Sequence, residues 1–253
     1  MKTYLKNEEK KPRIFYTDNV VADQPGLERW IPSMKETVQH TNEELGVNSG
    51  LPAYTLPDDV SIIYMQSAVQ INTMASRLID CLHADIISGR IILIYVVGFD
   101  CEWTTKYINK ASFRQKISLI QITFKKSVYL SHLGNTHQMP GQLKLLIEDI
   151  NVIKVGRCVK QDLQKLEADY HVDKTSYHPK AFLDLGSRYM EMGHTDSLKQ
   201  WSLQKLCDDV LGKYLLAKPS SVRCGDWQAT VLDADERKYA AIDAYVALDF
   251  SKN

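Results

Sequence analysis

Asp100 and Glu102 stand two residues apart in the run Val97-Gly-Phe-Asp-Cys-Glu-Trp103. Ile91 to Phe99 is apolar and too short to span a bilayer, so it reads as a buried strand. Side chains alternate along a strand, so both carboxylates project from one face, with Cys101 and Trp103 on the other. Adjacent carboxylates repel each other and lose hydration when buried, a cost that a bound divalent cation removes. Asp-x-Glu alone is a common pattern. Its meaning depends on whether distant parts of the chain bring more acid to the same place.

Four other acids bear on that question. In the last helical stretch, Tyr239, Ile242, Asp243, Val246 and Phe250 share one face, and Tyr239 and Asp243 sit one turn apart. A buried Asp on that face needs a partner, which an Asp–Tyr hydrogen bond, an ion pair or a metal would each supply. Asp162 falls in the first turn of a helix that follows a strand. Exposed amides and the helix dipole favour an acid there without any catalytic role. Asp184 is read as a helix N-cap, and Asp249, off the apolar stripe, as solvated.

The surrounding elements decide whether these acids can meet. Residues 1–57 carry Pro12, Pro25, Pro32, Pro52 and Pro57 and hold no persistent period, so they are expected to form an extended or disordered arm. Its apolar knot, Trp30-Ile-Pro32, is either a local contact or a short partner-binding motif. Residues 58–253 are expected to form one domain. Ser61–Tyr64 reads as a strand, and Ser67–Leu82 as a helix with Ser67 as its N-cap. The strand Ile91–Glu102, a polar loop over 104–114, and strands at 116–124 and 128–130 make an antiparallel set. A helix over 141–150, a strand over 152–155 and a helix over 160–170 add a right-handed, parallel crossover. Helices follow at 185–192, 202–211 and 235–250. This order predicts an α/β fold with a ribonuclease-H-like mixed sheet, antiparallel then parallel, and helices on both faces.

Composition narrows the function classes. The 253 residues balance 31 basic against 31 acidic side chains, which argues against a strongly basic, non-specific nucleic-acid binder but permits a local basic groove. The cysteines (81, 101, 158, 207 and 224) show no C-x-x-C spacing, so neither a zinc site nor a disulfide framework is expected, and a reducing compartment fits. The N-terminus lacks the apolar core of a signal peptide, and no membrane span is expected. His132, His137, His171, His178 and His194 show no ligand spacing and read as surface or loop residues.

In order along the chain, Gly98-Phe-Asp-Cys-Glu-Trp103, Gly156-x5-Asp162-Leu and Tyr239-Ala-Ala-Ile-Asp-Ala-Tyr245 resemble the three motifs of the DEDD superfamily of 3′-5′ exonucleases. The histidine subclass would place His at position 238, which is Lys238, so the tyrosine subclass fits, and the Werner-syndrome-type exonuclease domain is most similar. Supporting blocks are Ser118-Leu-Ile-Gln-Ile122, Trp201-Ser-Leu-x-x-Leu206, Leu211-Gly212 and Arg223-Cys-Gly-Asp-Trp227. The resemblance runs from about residue 60 onward. Gly156-Arg157-Cys158 departs from the more apolar turn of the family, and Arg157 is expected to reach solvent. The chain ends soon after the third motif, so it is expected to be either a free-standing exonuclease or a fragment.

The resemblance implies a metal-dependent 3′-5′ exonuclease that releases nucleoside 5′-monophosphates from nucleic-acid 3′ ends, with DNA favoured. Two ions, Mg²⁺ or Mn²⁺, would sit about 4 Å apart on oxygen ligands. Asp100 would bridge them, Glu102 and Asp243 would complete the water-activating site, and Asp162 would act on the second ion, largely through water. Tyr239 would orient the attacking water, since a free phenol titrates at about pH 10 and is a poor base at neutrality. Trp103 either stacks on the terminal nucleotide or belongs to the core. Lys160, Lys165 and Arg223 are candidate phosphate contacts, with Arg223–Trp227 alternatively a loop staple. RNA 3′-end trimming and a catalytically silent scaffold are the alternatives. A nuclear location and a protein partner at the N-terminal arm complete the expectations.

Overall fold

The computed structural model describes residues 14–17, 20–22, 50–87, 94–108, 111–134, 136, 138–191, 201–216 and 225–251. Its strands are β1 (Ile14–Thr17), β2 (Val20–Ala22), β3 (Ser61–Met65), β4 (Ile94–Glu102), β5 (Thr105–Ile108), β6 (Ala111–Arg114), β7 (Leu119–Phe124), β8 (Ser127–His132), β9 (Val152–Gly156) and β10 (Phe182–Asp184). Its helices are α1 (Ala68–Ile87), α2 (Gly141–Glu148), α3 (Val159–Tyr170), α4 (Leu185–Glu191), α5 (Leu203–Leu206) and α6 (Ala234–Phe250).

The main sheet is mixed and is organised about β4. β7 runs antiparallel to β4, and β8 antiparallel to β7. On the other edge of β4, β9 runs parallel, followed by β10. β3 closes the far side, parallel to β8. Alternation along β4 divides the core in two. Phe99 and Cys101 join a cluster with Ile71 of α1, Leu143 of α2 and Leu163 of α3. The opposite face packs on α6, where Leu119, Val128 and Leu130 meet Ala240, Ala241 and Tyr245. Farther along α6, Leu248 and Phe250 pack with Val155, Leu185 and Leu206.

Local chemistry fixes where the key helices begin. Ser67 Oγ accepts from the Gln70 amide at 3.2 Å, and Gln70 Oε1 accepts from the Ser67 amide at 3.2 Å, so α1 starts on a reciprocal cap as its N-cap residue implies. Asp233 and Glu236 make the equivalent box ahead of α6. α6 is buried far beyond the stripe its sequence suggests, because it lies between the sheet and α4–α5.

Several elements differ from the sequence reading. The expected polar loop at 104–114 is a separate two-stranded hairpin, β5–β6, closed at its base by the Gln115 amide donating to Thr104 O at 2.9 Å. Four-residue strands of mixed polarity leave too short a pattern to read. Within the expected arm, β1 and β2 form a hairpin whose second strand pairs with the start of β4. Tyr54 is only 2% exposed, its amide donating to Tyr214 O at 2.8 Å and its hydroxyl to Asp249 Oδ2 at 3.1 Å. Asp249 is therefore tied to the segment before β3, not solvated. The Trp30–Pro32 knot lies outside the described residues. So do Arg223, Cys224, His137 and His194.

Candidate active site

β4 carries Asp100 and Glu102 at its C-terminal end, and α6 carries Asp243 across from them. One carboxylate oxygen from each of the three lies within 4.8 Å of the others. This convergence depends on Gly98. A Cβ there would stand 1.9 Å from the carbonyl oxygen of Ala244, so α6 can seat against β4 only because residue 98 has no side chain. The seat places Asp243, the residue before Ala244, above the acid pair. Tyr239 lies one turn earlier, and its hydroxyl donates to Asp243 Oδ2 at 2.5 Å. The Asp–Tyr bond, one of the alternatives that the spacing leaves open, is present, and it coexists with the acid cluster.

Asp162 approaches from α3. It is 5% exposed, and its Oδ2 is buried without a hydrogen-bond partner among the described residues. Burial, reinforced by the charges of Asp100, Glu102 and Asp184, pushes its carboxyl well above the usual carboxylate range. Helix N-terminal stabilisation alone does not account for a carboxylate turned inward beside two others. Gln121 adds to the unusual polarity of the site. It is the β7 partner of Asp100, and its buried amide atoms have no hydrogen-bond partner among the described residues. A donor set of carboxylate oxygens with a fourth buried acid beside it suits a hard divalent cation and is unsuited to thiophilic metals.

Asp184 holds the turn that aims Asp162. Its carboxylate accepts from the Cys158 and Ser187 amides, so it caps α4 as expected and braces the start of α3 as well. Cys158 has φ 62°, a left-handed turn that swings the chain from β9 into α3. The expected solvent-facing Arg157 is instead locked inside this turn. Its Nε donates to Trp201 O at 2.6 Å and its Nη1 pairs with Asp184 Oδ1 at 3.3 Å. The physical reason is a carboxylate partner that comes from a distant segment, together with the space left by Gly186, whose Cβ would meet the guanidinium at 2.9 Å.

The second support was not anticipated. His132 was read as a surface or loop residue, but it is buried on β8, on the same face as Val128 and Leu130. That period-two pattern was the available signal. The Leu232 amide donates to Tyr64 Oη at 3.1 Å, so the tyrosine hydroxyl is free to donate to His132 Nδ1 at 2.8 Å. Nε2 is then the protonated nitrogen and donates to Trp227 O at 3.1 Å. Burial pushes the His132 pKa down, in keeping with a neutral ring. Trp227 in turn lies against Tyr239, with ring centroids 6.4 Å apart.

Trp103 is half-buried, packs on the core, and has Arg114 and Lys165 over its ring at 6.0 and 5.3 Å. Lys165 Nζ also pairs with Asp169 at 3.0 Å, which commits its charge. Lys160 is exposed two residues before Asp162. In the Arg223–Trp227 block, Asp226 Oδ1 accepts from Thr104 Oγ1 at 3.1 Å and Trp227 is buried, so the described half acts as a loop staple.

A family model described as 3′-5′ exonuclease matches residues 68–253. The chain is 36% identical over 154 residues to the bifunctional 3′-5′ exonuclease/ATP-dependent helicase WRN of Mus musculus, covering 60% of this chain and 10% of that protein. It is 30% identical over 190 residues to a 3′-5′ exonuclease of Arabidopsis thaliana, covering 74% of this chain and 60% of that protein. The matches span less than two thirds of these curated relatives. In fold, it resembles the Aedes aegypti Nibbler EXO domain, with a TM-score of 0.57 at 20% identity over 78% of this chain and 89% of that one. It also resembles Escherichia coli RNase D, an exoribonuclease involved in structured RNA processing, with a TM-score of 0.53 at 16% identity over 75% of this chain and 42% of that one.

Proposed function

The chain belongs to the 3′-5′ exonuclease family, and from that premise we propose that it removes nucleotides hydrolytically from nucleic-acid 3′ ends at the Asp100–Glu102–Asp243 cluster. The observation that carries this reading is the convergence of three carboxylate oxygens within 4.8 Å from two distant segments. Asp162, buried and with no hydrogen-bond partner at Oδ2 among the described residues, would supply the fourth acid. The arrangement supports assignment to the tyrosine subclass, with Tyr239 in the motif position.

Asp100, Glu102 and Asp243 would hold divalent cations, Mg²⁺ or Mn²⁺, with Asp162 acting through water. When bound, two such ions would supply charge neutralisation and an activated water for in-line hydrolysis, leaving a nucleoside 5′-monophosphate. The protein's own contribution is positional. Gly98 sets the gap between Asp243 and the β4 acids. Asp243 holds the Tyr239 hydroxyl, which can orient water beside the scissile phosphate. Lys160, exposed in the first turn of α3, is kept as a candidate phosphate contact.

No helix among the described residues is long and apolar enough to cross a membrane. A nuclear location and a partner for the N-terminal arm belong to the same proposal, on the family resemblance. The reading is tested by incubating the purified chain with 5′-labelled DNA and RNA oligonucleotides of matched sequence, with Mg²⁺, Mn²⁺ or EDTA. Stepwise shortening from the 3′ end, faster on DNA and absent in EDTA, is expected. Faster loss of the RNA would reassign the substrate, and no shortening of either would overturn the activity.

A further inference from the structure

We infer that the β5–β6 hairpin is a guide for single-stranded nucleic acid, holding the strand whose 3′ end enters the acid cluster; this rests on the exonuclease reading above. The chain is neutral overall, yet residues 105–117 contain Lys106, Lys110, Arg114 and Lys116 and no Asp or Glu. This positive run starts three residues after Glu102. The hairpin stands apart from the main sheet as its own two-stranded sheet. Its base is anchored by the Gln115–Thr104 backbone bond and by Thr104 Oγ1 donating to Asp226 at 3.1 Å. It is therefore fixed to both the β4 acid strand and the loop that leads to α6.

Register sorts its side chains by face. Lys106 pairs across from Phe113, and Thr105 across from Arg114. Cross-strand partners share a face. One face thus presents an exposed cation beside an aromatic ring, Phe113, that is 50% exposed. On the other face, Arg114 lies over Trp103, the residue adjoining Glu102. A single exposed Phe is ordinary on a protein surface. An exposed Phe paired in register with a lysine, on an acid-free hairpin rooted at a phosphodiester-cleaving site, has the chemistry that binds a polyanion with stackable bases.

The test measures binding of fluorescein-labelled DNA and RNA dodecamers by anisotropy, with Ca²⁺ present and salt varied, to the wild type and to Phe113→Ala and Lys106→Glu. Both positions are exposed, so melting temperatures should match the wild type. Phe113→Ala is expected to weaken binding about tenfold through lost stacking. Lys106→Glu is expected to weaken it similarly and to reduce the slope of log affinity against log salt by about 0.7. Wild-type affinity of both variants for both dodecamers would overturn the inference. Hydrolysis of the p-nitrophenyl ester of thymidine 5′-monophosphate by the wild type with Mn²⁺ is measured alongside. Its absence would overturn the exonuclease reading, whereas its presence with unchanged dodecamer binding overturns only the role of the hairpin.

Discussion

Gly98→Ala tests whether the seat of α6 on β4 sets the metal-binding geometry. An added Cβ would stand 1.9 Å from Ala244 O, and the obstructing atom is backbone, so no side chain can swing aside. The helix and strand must separate by about 1.5 Å to restore an ordinary contact. Overpacking of this kind costs about 3 kcal/mol, which lowers the melting temperature of a domain this size by about 6–12 °C. Because Ala244 adjoins Asp243, the same shift spreads the oxygens that now lie within 4.8 Å. A displacement of that size can lower turnover about 100-fold. Thermal melting, Mn²⁺ titration calorimetry and exonuclease rate are measured together, with Gly141→Ala, where nothing lies within 4 Å, as control. Wild-type melting and wild-type Mn²⁺ affinity in Gly98→Ala would refute the reasoning.

Asp162→Asn should abolish activity while leaving the metal-free protein as stable or more so. A raised folded pKa gives stability that is full below the unfolded value of about 3.9 and lost as pH rises through the folded pKa. The Asn variant should lack that decline when melting is followed between pH 4 and pH 8. His132→Phe leaves Tyr64 and Trp227 O short of partners and should cost about 1–3 kcal/mol by urea unfolding, with slower turnover because Trp227 packs on Tyr239. The His132 pKa is depressed, so wild-type stability should fall as pH drops below about 6.5, and this component should be absent from the variant. Lys154 is buried, donates to Ile147 O at 2.8 Å and Asp149 O at 3.1 Å, and is pushed down to about 7 by burial. Its unfolded pKa is about 10.4, so stability should rise with pH from about 7 upward in the wild type and not in Lys154→Met.

The acids were legible in the sequence because they break local rules: two carboxylates on an apolar strand, and one on an apolar helix face beside a tyrosine. The order of strands and helices likewise pointed to the mixed sheet that the structure shows. Asp162 was harder, because an acid in the first turn of a helix is favoured anyway, and only the fold reveals that its Oδ2 is buried with no partner among the described residues. Arg157 was misread because an arginine stem can lead to solvent or to a partner, and Asp184 comes from another segment. Tyr54 acts through long-range hydrogen bonds to Tyr214 and Asp249 that leave no period in the chain, and the alternation Val128, Leu130, His132 marked the histidine as buried without naming its partners. The hairpin escaped notice because its strands are too short and too polar for alternation to stand out. Gly98 gave no signal beyond its identity, since its importance lies in what approaches it.

The central claim is that Asp100 and Asp243 together create the hydrolytic centre. The most direct measurement is the single-turnover release of the 3′-terminal nucleotide from a 5′-labelled oligonucleotide with Mn²⁺, by the wild type, Asp100→Ala and Asp243→Ala. Melting curves confirm that each variant is folded. The account predicts a one-nucleotide ladder with the wild type and none with either variant. A ladder that persists in both folded variants would contradict it.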